Sequence, residues 1–385
     1  MKIKIVSLTK LIKNGVTEML NGKTIGVVVP AYNEEKQIRH VMETMPYFVD
    51  RIIVVNDFST DKTADIVGEY VGRNDSPAPA TANEQQISGM PDNKYNRADI
   101  LLKEQQQADI NHFPPAQIVN ARPESDRVIL INNLKNCGVG ASIARGYKWC
   151  LDHNIECTAV MAGDGQMDPA ELESICLPVI NEGVDYVKGN RLIHGSARMV
   201  IPKSRYIGNS ILSILTKIAS GYWHVSDTQT GYTAISLSAL SAIKLHEIYK
   251  SYGMPNDMLV KLNIAFCTLK EVKIKPVYNI GENSKMKVAL VIPRIAWLLF
   301  KSFFKRLWVK YLFRDFHPLF LLYHFAFALG LFSLPYAIKI ISLVFARHDV
   351  NPVTLLAFFI LFTGSFQSLL FAMWMDIQDN ERLYK

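Results

Sequence analysis

Two short β-branched runs stop abruptly at polar residues. Val27-Val28-Val29 gives way to Pro30-Ala31-Tyr32-Asn33-Glu34, and Val54-Val55 gives way to Asn56-Asp57-Phe58-Ser59-Thr60-Asp61. Such runs read as parallel strands buried on both faces. Ligands of open α/β sheets bind in the crevice outside the strands' carboxyl ends. A carboxylate there, Asp57, suits hydrogen bonds from a ribose or a base. The glycine-rich pyrophosphate turn of a dinucleotide fold is missing, which argues against NAD. A third run, Met161-Ala162-Gly163-Asp164-Gly165-Gln166-Met167-Asp168-Pro169, delivers Asp164 to a strand end, and Asp168 and Pro169 open the next helix. A carboxylate in that position can hold Mg2+ or Mn2+ against a nucleotide diphosphate, because hard cations take oxygen ligands and keep water and substrate phosphate in their shell. Neutralising an expelled diphosphate is a large part of the catalysis when a sugar–phosphate bond breaks.

These residues need a sheet to carry them. Apolar runs predict strands at 25–30, 51–56, 128–131, 158–161 and 185–188, alternating with helices at 34–45, 61–71, 141–153 and 169–181. Ser59 or Thr60 is expected to cap the second helix. The alternation predicts an α/β domain, a mostly parallel sheet flanked by helices. Residues 72–127 break the pattern: they are rich in Pro, Gln, Asn, Asp and Ala and lack sustained periodicity. They read as a mobile insertion, the competing reading being a short helix near 98–107.

In order and spacing, Pro30–Glu34, Asp57–Asp61 and the Asp164 run resemble the motifs of the family 2 glycosyltransferases, which act on nucleotide-sugars with a GT-A fold. The resemblance is to the polyprenyl- and dolichyl-phosphate branch, and it covers 24–71 and 128–288. It implies that Pro30, Tyr32, Glu34, Val55, Asp57, Gly163 and Asp164 bind the nucleotide-sugar, and that Asp164 and Gln166 hold the metal. Ala162 departs from the family, which usually has a first Asp there. Asn136-Cys137-Gly138-Val139-Gly140 resembles a turn preceding a helix. Gly189-Asn190-Arg191 resembles a segment whose Arg contacts phosphate. Asp227-Thr228-Gln229 resembles an acceptor-side segment in which Asp227 and Gln229, as catalytic candidates, order the acceptor, the competing reading being stabilisation of the loop by Asx-type hydrogen bonds. Asp257, beside Asn256 where many members have an acidic pair, is the candidate general base, the competing reading being a first-turn carboxylate favoured by the helix dipole. Lys285 resembles a phosphate-touching Lys. Arg205, at a polar helix start, is added as an acceptor-phosphate residue on its position alone.

The 385 residues bound the rest: 49% are hydrophobic and only 20% charged, and the apolar residues concentrate at the C-terminus. Segments 319–345 and 352–375 each exceed the ~20 residues that cross a bilayer and predict an antiparallel transmembrane hairpin, with two buried core helices as the competing reading. Lys301, Lys305, Arg306, Lys310 and Arg314 precede the first span, whereas the turn offers Arg347 and His348. The positive-inside rule then puts the catalytic domain in the cytoplasm. Arg294, Lys301 and Lys305 share a helical face beside Trp297, Phe300, Phe304, Leu307 and Trp308, which suits a helix in the headgroup layer, started or kinked by Pro293. The expected parts are an N-terminal extension (1–23), a catalytic domain (24–286), a basic amphipathic juxtamembrane helix (287–315), two spans (316–376) and a cytoplasmic tail (377–385). No signal peptide is read at the start. Five cysteines without CxxC spacing read as reduced thiols.

The expectation is a membrane-anchored inverting glycosyltransferase using Mg2+ or Mn2+, a nucleotide-sugar donor and a polyprenyl phosphate acceptor at the cytoplasmic leaflet. No nucleic acid is expected as a partner, and self-association is left open. The alternatives are an enzyme of the same fold with a hydroxyl acceptor, and a nucleotide-binding scaffold that no longer catalyses. A channel is disfavoured by the lack of a polar pathway.

Overall fold

The computed structural model describes residues 20–73, 93, 95–277 and 288–385. In chain order these form β1 (Ile25–Ala31), α1 (Ile38–Glu43), β2 (Arg51–Asn56), α2 (Thr63–Gly68), α3 (Arg97–Ala108), β3 (Ala116–Ile118), β4 (Val128–Asn133), α4 (Val139–Asp152), β5 (Cys157–Val160), α5 (Leu172–Glu182), β6 (Tyr186–Asn190), α6 (Ala197–Val200), α7 (Lys203–Ser220), β7 (Thr233–Ser236), α8 (Leu237–Ala242), α9 (Met254–Ile264), β8 (Leu269–Lys273), α10 (Val288–Trp308), α11 (Pro318–Phe345) and α12 (Pro352–Glu381).

The eight strands make one sheet in the order β3-β4-β2-β1-β5-β7-β6-β8. β3 and β7 run antiparallel to their neighbours, and the other strands share one direction. The apolar runs explain this. Successive side chains of a strand point to opposite faces, so Val27, Val29, Ile52 and Val54 enter one core while Val28, Ile53 and Val55 enter the other. α1, α2 and α5 cover the first face; α4, α8 and α9 cover the second. The chain winds from β1 through β2 to β4, then returns to β5 on the other side of β1. That reversal opens a crevice between β1 and β5.

Several expected elements are corrected. The first two helices are short, and no side chain caps α2; Ser59 and Thr60 instead join the preceding loops, and Asp61 accepts from Thr63 N. Residues 95–127 are not structureless: α3 is the helix of the competing reading, and β3 pairs with β4. Asn120 Nδ2 donates to Val128 O (2.7 Å), Asn120 Oδ1 accepts from Leu130 N (2.8 Å), and Arg51 Nη2 donates to Glu124 O (2.7 Å). A three-residue edge strand is too short to show a period. Positions 74–92 and 94 lie outside the described residues.

α11 and α12 have mean hydropathies of 1.8 and 1.9, and only 6% of each apolar window is buried in protein. Their apolar side chains face outward, which removes the core-helix reading. α12 runs to Glu381 rather than ending at Met375. The last residues are not loose, because Leu269 N donates to Leu383 O (2.7 Å) and Lys385 N to Leu269 O (2.9 Å), docking the terminus on β8. A third apolar cluster joins the parts: Leu212 and Ala219 of α7, Val260 of α9, Leu299, Phe303 and Leu307 of α10, with Tyr323 and Ala372 from the hairpin. Leu307 therefore faces protein, whereas Trp297, Phe300 and Trp308 are exposed. Pro293 lies within α10 and does not start it.

Candidate active site

The loops after β1, β2, β4, β5 and β6 and the loop entering β7 meet at one edge of the sheet, since β7 runs opposite to its neighbours. At its centre, β1 and β5 are tied beyond their ladder: Gly163 N donates to Pro30 O at 3.2 Å. The first two motifs clasp each other. Asn33 takes a left-handed φ of 54°, its N donates to Ser59 Oγ (3.0 Å), and its Oδ1 accepts from Thr60 N (2.8 Å). Glu34 N donates to Thr63 Oγ1 (2.8 Å). Tyr32 and Glu34 are half-buried at the rim, while Pro30 and Val55 are buried.

Asp57 is turned inward, 3% exposed. Oδ1 accepts from Asn133 Nδ2 (2.9 Å) and Cys137 N (2.8 Å), and Oδ2 accepts from Gly138 N (2.8 Å). Its carboxylate thereby anchors the 133–138 turn. The glycines of that turn allow close approach: a Cβ on Gly138 would strike Lys250 O, and one on Gly140 would strike Tyr249 O. Tyr249 N in turn donates to Asp257 Oδ2 (2.9 Å), which also pairs with Lys261 Nζ (2.5 Å). Asp257 is 5% exposed. It stands in the first turn of α9, held by Tyr249 N and Lys261, which is the arrangement of the competing first-turn reading.

Asp227 is 1% exposed and accepts from Arg191 N (3.1 Å), Nε (2.8 Å) and Nη2 (3.0 Å). Burial would raise its carboxyl, but Arg191 and the ammonium of Lys188 outweigh that and hold it below the usual range. Lys188 is fully buried on β6, donates to Thr230 O, and burial pushes its ammonium down to about 8 despite Asp227. Ser226 N and Asp227 N both donate to Glu271 (3.0 Å). Gln229 Nε2 donates to Asn256 Oδ1 (2.8 Å), whose Oδ1 also accepts from Thr216 Oγ1 (2.7 Å). The 226–231 loop is thus fastened from four sides. Arg191, expected to meet acceptor phosphate, puts its guanidinium on Asp227.

On the β5 side, Asp164 Oδ1 accepts from Gln166 N (3.0 Å), closing a turn in which Ala162 N meets Met167 Sδ (3.2 Å). Asp168 caps the following turn through Ala170 N (3.0 Å) and pairs with Lys275 (3.1 Å). Asp164 and Gln166 thus supply a carboxylate and an amide from one half-buried turn. Among the described residues no three His, Cys, Asp or Glu converge on a cation site. Mg2+ is commonly held by one or two carboxylates plus substrate phosphates, so this donor set fits a cation that the donor helps to bind. The side chain of Arg205, in the first turn of α7, and the whole of Lys285 lie outside the described residues. Lys188, Glu271 and Asn256 went unassigned in the sequence; the signals were a Lys inside the apolar run of β6 and an Asn beside Asp257.

Residues 26–79 match the family model described as Glycosyl transferase family 2. The UDP-N-acetylglucosamine–dolichyl-phosphate N-acetylglucosaminyltransferase of Methanococcus voltae is 28% identical over 263 residues, 67% of this chain and 87% of that protein. The dolichyl-phosphate beta-glucosyltransferase ALG5D of Trichomonas vaginalis is 24% identical over 302 residues, 74% of each chain. The crystal structure of M. tuberculosis glucosyl-3-phosphoglycerate synthase aligns at 16% identity with a TM-score of 0.45, covering 74% of this chain and 81% of that one, a likeness too loose to bear on function. Through residues 26–79 and these relatives the chain is similar to the family 2 glycosyltransferases of the polyprenyl- and dolichyl-phosphate branch, here on a mixed α/β sheet with two long apolar C-terminal helices.

Proposed function

We propose that the protein is a membrane-anchored inverting glycosyltransferase that moves a sugar from a nucleotide-sugar to a polyprenyl phosphate. The observation that carries the acceptor class is the state of the two buried acceptor-side carboxylates, Asp257, the candidate base, and Asp227. Asp227 is committed to Arg191 and Asp257 to Lys261, both in buried ion pairs. A hydroxyl acceptor must lose a proton in the transition state. A phosphate monoester, with a second pKa of about 6, is already ionised near neutral pH. The named relatives agree on dolichyl phosphate and differ in the sugar, which supports the acceptor and leaves the sugar open.

In this reading the nucleotide lies over Pro30, Tyr32 and Glu34, with Val55 and Asp57 supporting the floor of its crevice. Asp164 and Gln166 would hold Mg2+ or Mn2+, which when bound neutralises charge on the departing diphosphate. The acceptor's phosphate oxygen attacks the anomeric carbon from the face opposite the diphosphate. The new C–O bond forms as the old one breaks, and the diphosphate leaves with the electron pair. Asp227 and Gln229 position the acceptor wall, with Arg191 orienting Asp227; Arg205 and Lys285 are proposed acceptor-phosphate contacts. Five basic residues before the first span, against Arg347 and His348 in the turn, support a cytoplasmic catalytic unit, and exposed Arg294, Lys301 and Lys305 border Trp297 and Phe300 as an interfacial helix would.

The test compares polyprenyl phosphate with the corresponding polyprenol in membranes holding the protein. The reading expects a mildly acid-labile glycolipid from the phosphate alone. Transfer to the free alcohol, or to polysaccharide only, would contradict it.

A further inference from the structure

We propose that the hairpin positions the acceptor loop, coupled to it through Arg306 and Asp376, and is more than an anchor; this rests on the transfer reading above. Arg306, in the last turn of α10, has no exposed surface. Its Nε donates to Ala219 O (2.9 Å) and Nη2 to Ile218 O (3.1 Å), the last carbonyls of α7. Nη1 and Nη2 hold Asp376 of α12 in two parallel bonds (2.7 and 2.8 Å), and Nη1 also reaches Tyr311 Oη (3.3 Å). All five guanidinium N–H donors are used.

The next residue after α7 is the start of the acceptor loop. Gly221 turns the chain with φ of +79°, and a Cβ there would lie 2.5 Å from Arg306 Nη1. Two residues on, Trp223 Nε1 donates to Asp376 Oδ2 (3.3 Å). Four residues further stands Asp227. The opposite support of the loop is tied to the same helix. Asn263 Nδ2 and Lys310 Nζ both donate to Asn380 Oδ1 (2.7 and 2.6 Å), and Asn263 ends the helix whose Asn256 holds Gln229. The hairpin's inner end therefore touches both walls of the acceptor side and, among the described residues, forms no hydrogen bond or ion pair with the β1–β2 nucleotide loops.

An apolar contact would be enough to tether a domain, and that contact exists in the Leu299–Phe303–Tyr323 cluster. A buried ion pair adds little to stability over hydrophobic residues of the same shape. What a planar five-donor fork adds is direction: it fixes α7, α10 and α12 relative to one another at the root of the loop.

The experiment uses the full chain in detergent micelles, a short-chain polyprenyl phosphate soluble in the micelle, and two variants, Trp223→Phe and Asp376→Asn. Trp223→Phe keeps a six-membered aromatic ring and removes the pyrrole half of the indole with the N–H that meets Asp376. We expect donor Kd within twofold of wild type in both, and acceptor KM raised at least threefold in Trp223→Phe and at least tenfold in Asp376→Asn. Acceptor KM within twofold of wild type in Trp223→Phe overturns the coupling, whether or not Asp376→Asn folds. So does a rise in donor Kd equal to the rise in acceptor KM, which marks general loosening. Absence of transfer by the wild type itself would instead overturn the proposed function.

Discussion

Replacing Asp57 by Asn separates two roles for a carboxylate that the sequence alone assigns to the nucleotide. In the structure its oxygens hold the 133–138 turn through three donors, two of them main-chain N–H groups. Asparagine has one acceptor oxygen. In the better of its two amide orientations it keeps Asn133 and Cys137 and turns its own NH2 toward Gly138 N–H. Losing that charge-assisted bond, with a buried donor unsatisfied, costs about 2 kcal/mol, and demoting the other two to neutral bonds costs roughly another 2. For a unit the size of the 24–286 domain each kcal/mol moves the midpoint by about 2 °C, so a fall of roughly 8 °C is expected. The assay is thermal unfolding of purified protein in micelles, followed by tryptophan fluorescence, with nucleotide affinity measured well below both midpoints. A midpoint within about 2 °C of wild type, with nucleotide binding abolished, would refute the anchor reasoning and return Asp57 to the ligand.

Three further outcomes are expected. Asp164→Ala should lower kcat at least a hundredfold and make the remaining rate insensitive to EDTA; residual activity that EDTA still removes would assign the cation to other residues. Asp257→Asn breaks a buried pair with Lys261 at a cost of order 3 kcal/mol, so its midpoint should fall while the pH profile of kcat keeps its shape; a profile that loses its acid limb would restore Asp257 as a base. Lys188 is held near pKa 8 when folded and returns to about 10.4 when unfolded. Between those values the unfolded chain binds the extra proton, so stability rises with pH across that window. The Lys188→Met chain should lose that component, seen as a flatter midpoint between pH 8 and 10; an unchanged slope would contradict it.

The parallel half of the sheet was legible because β1, β2 and β4 are unbroken β-branched runs that need burial on both faces. β3, β7 and β8 were not, since three to five mixed residues show no period, and β8 faces half outward. The loops bearing Tyr32, Asp57, Asp164 and Asp227 were found through motif order, and they do share one edge. The inward or outward aim of each carboxylate was invisible: it depends on partners far along the chain, such as Gly138 for Asp57 and Tyr249 for Asp257. Arg306 and Lys310 were counted only among the basic residues preceding the first span, yet both are fully buried, because their partners Asp376 and Asn380 arrive from the far end of α12 some 70 residues later. That α12 outruns the apolar stretch by a turn and a half was hidden for the same reason: charged residues end a membrane window but not a helix.

The most direct measurement is transfer of label from a panel of UDP- and GDP-sugars into chloroform-soluble product, using membranes that contain the protein, with and without added polyprenyl phosphate. The account predicts a labelled lipid from at least one donor, formed in proportion to the added phosphate, cleaved by mild acid and abolished by EDTA. Label found only in polysaccharide or in an acid-stable lipid would contradict the phosphate acceptor, and nucleotide binding without any transfer would contradict the enzyme.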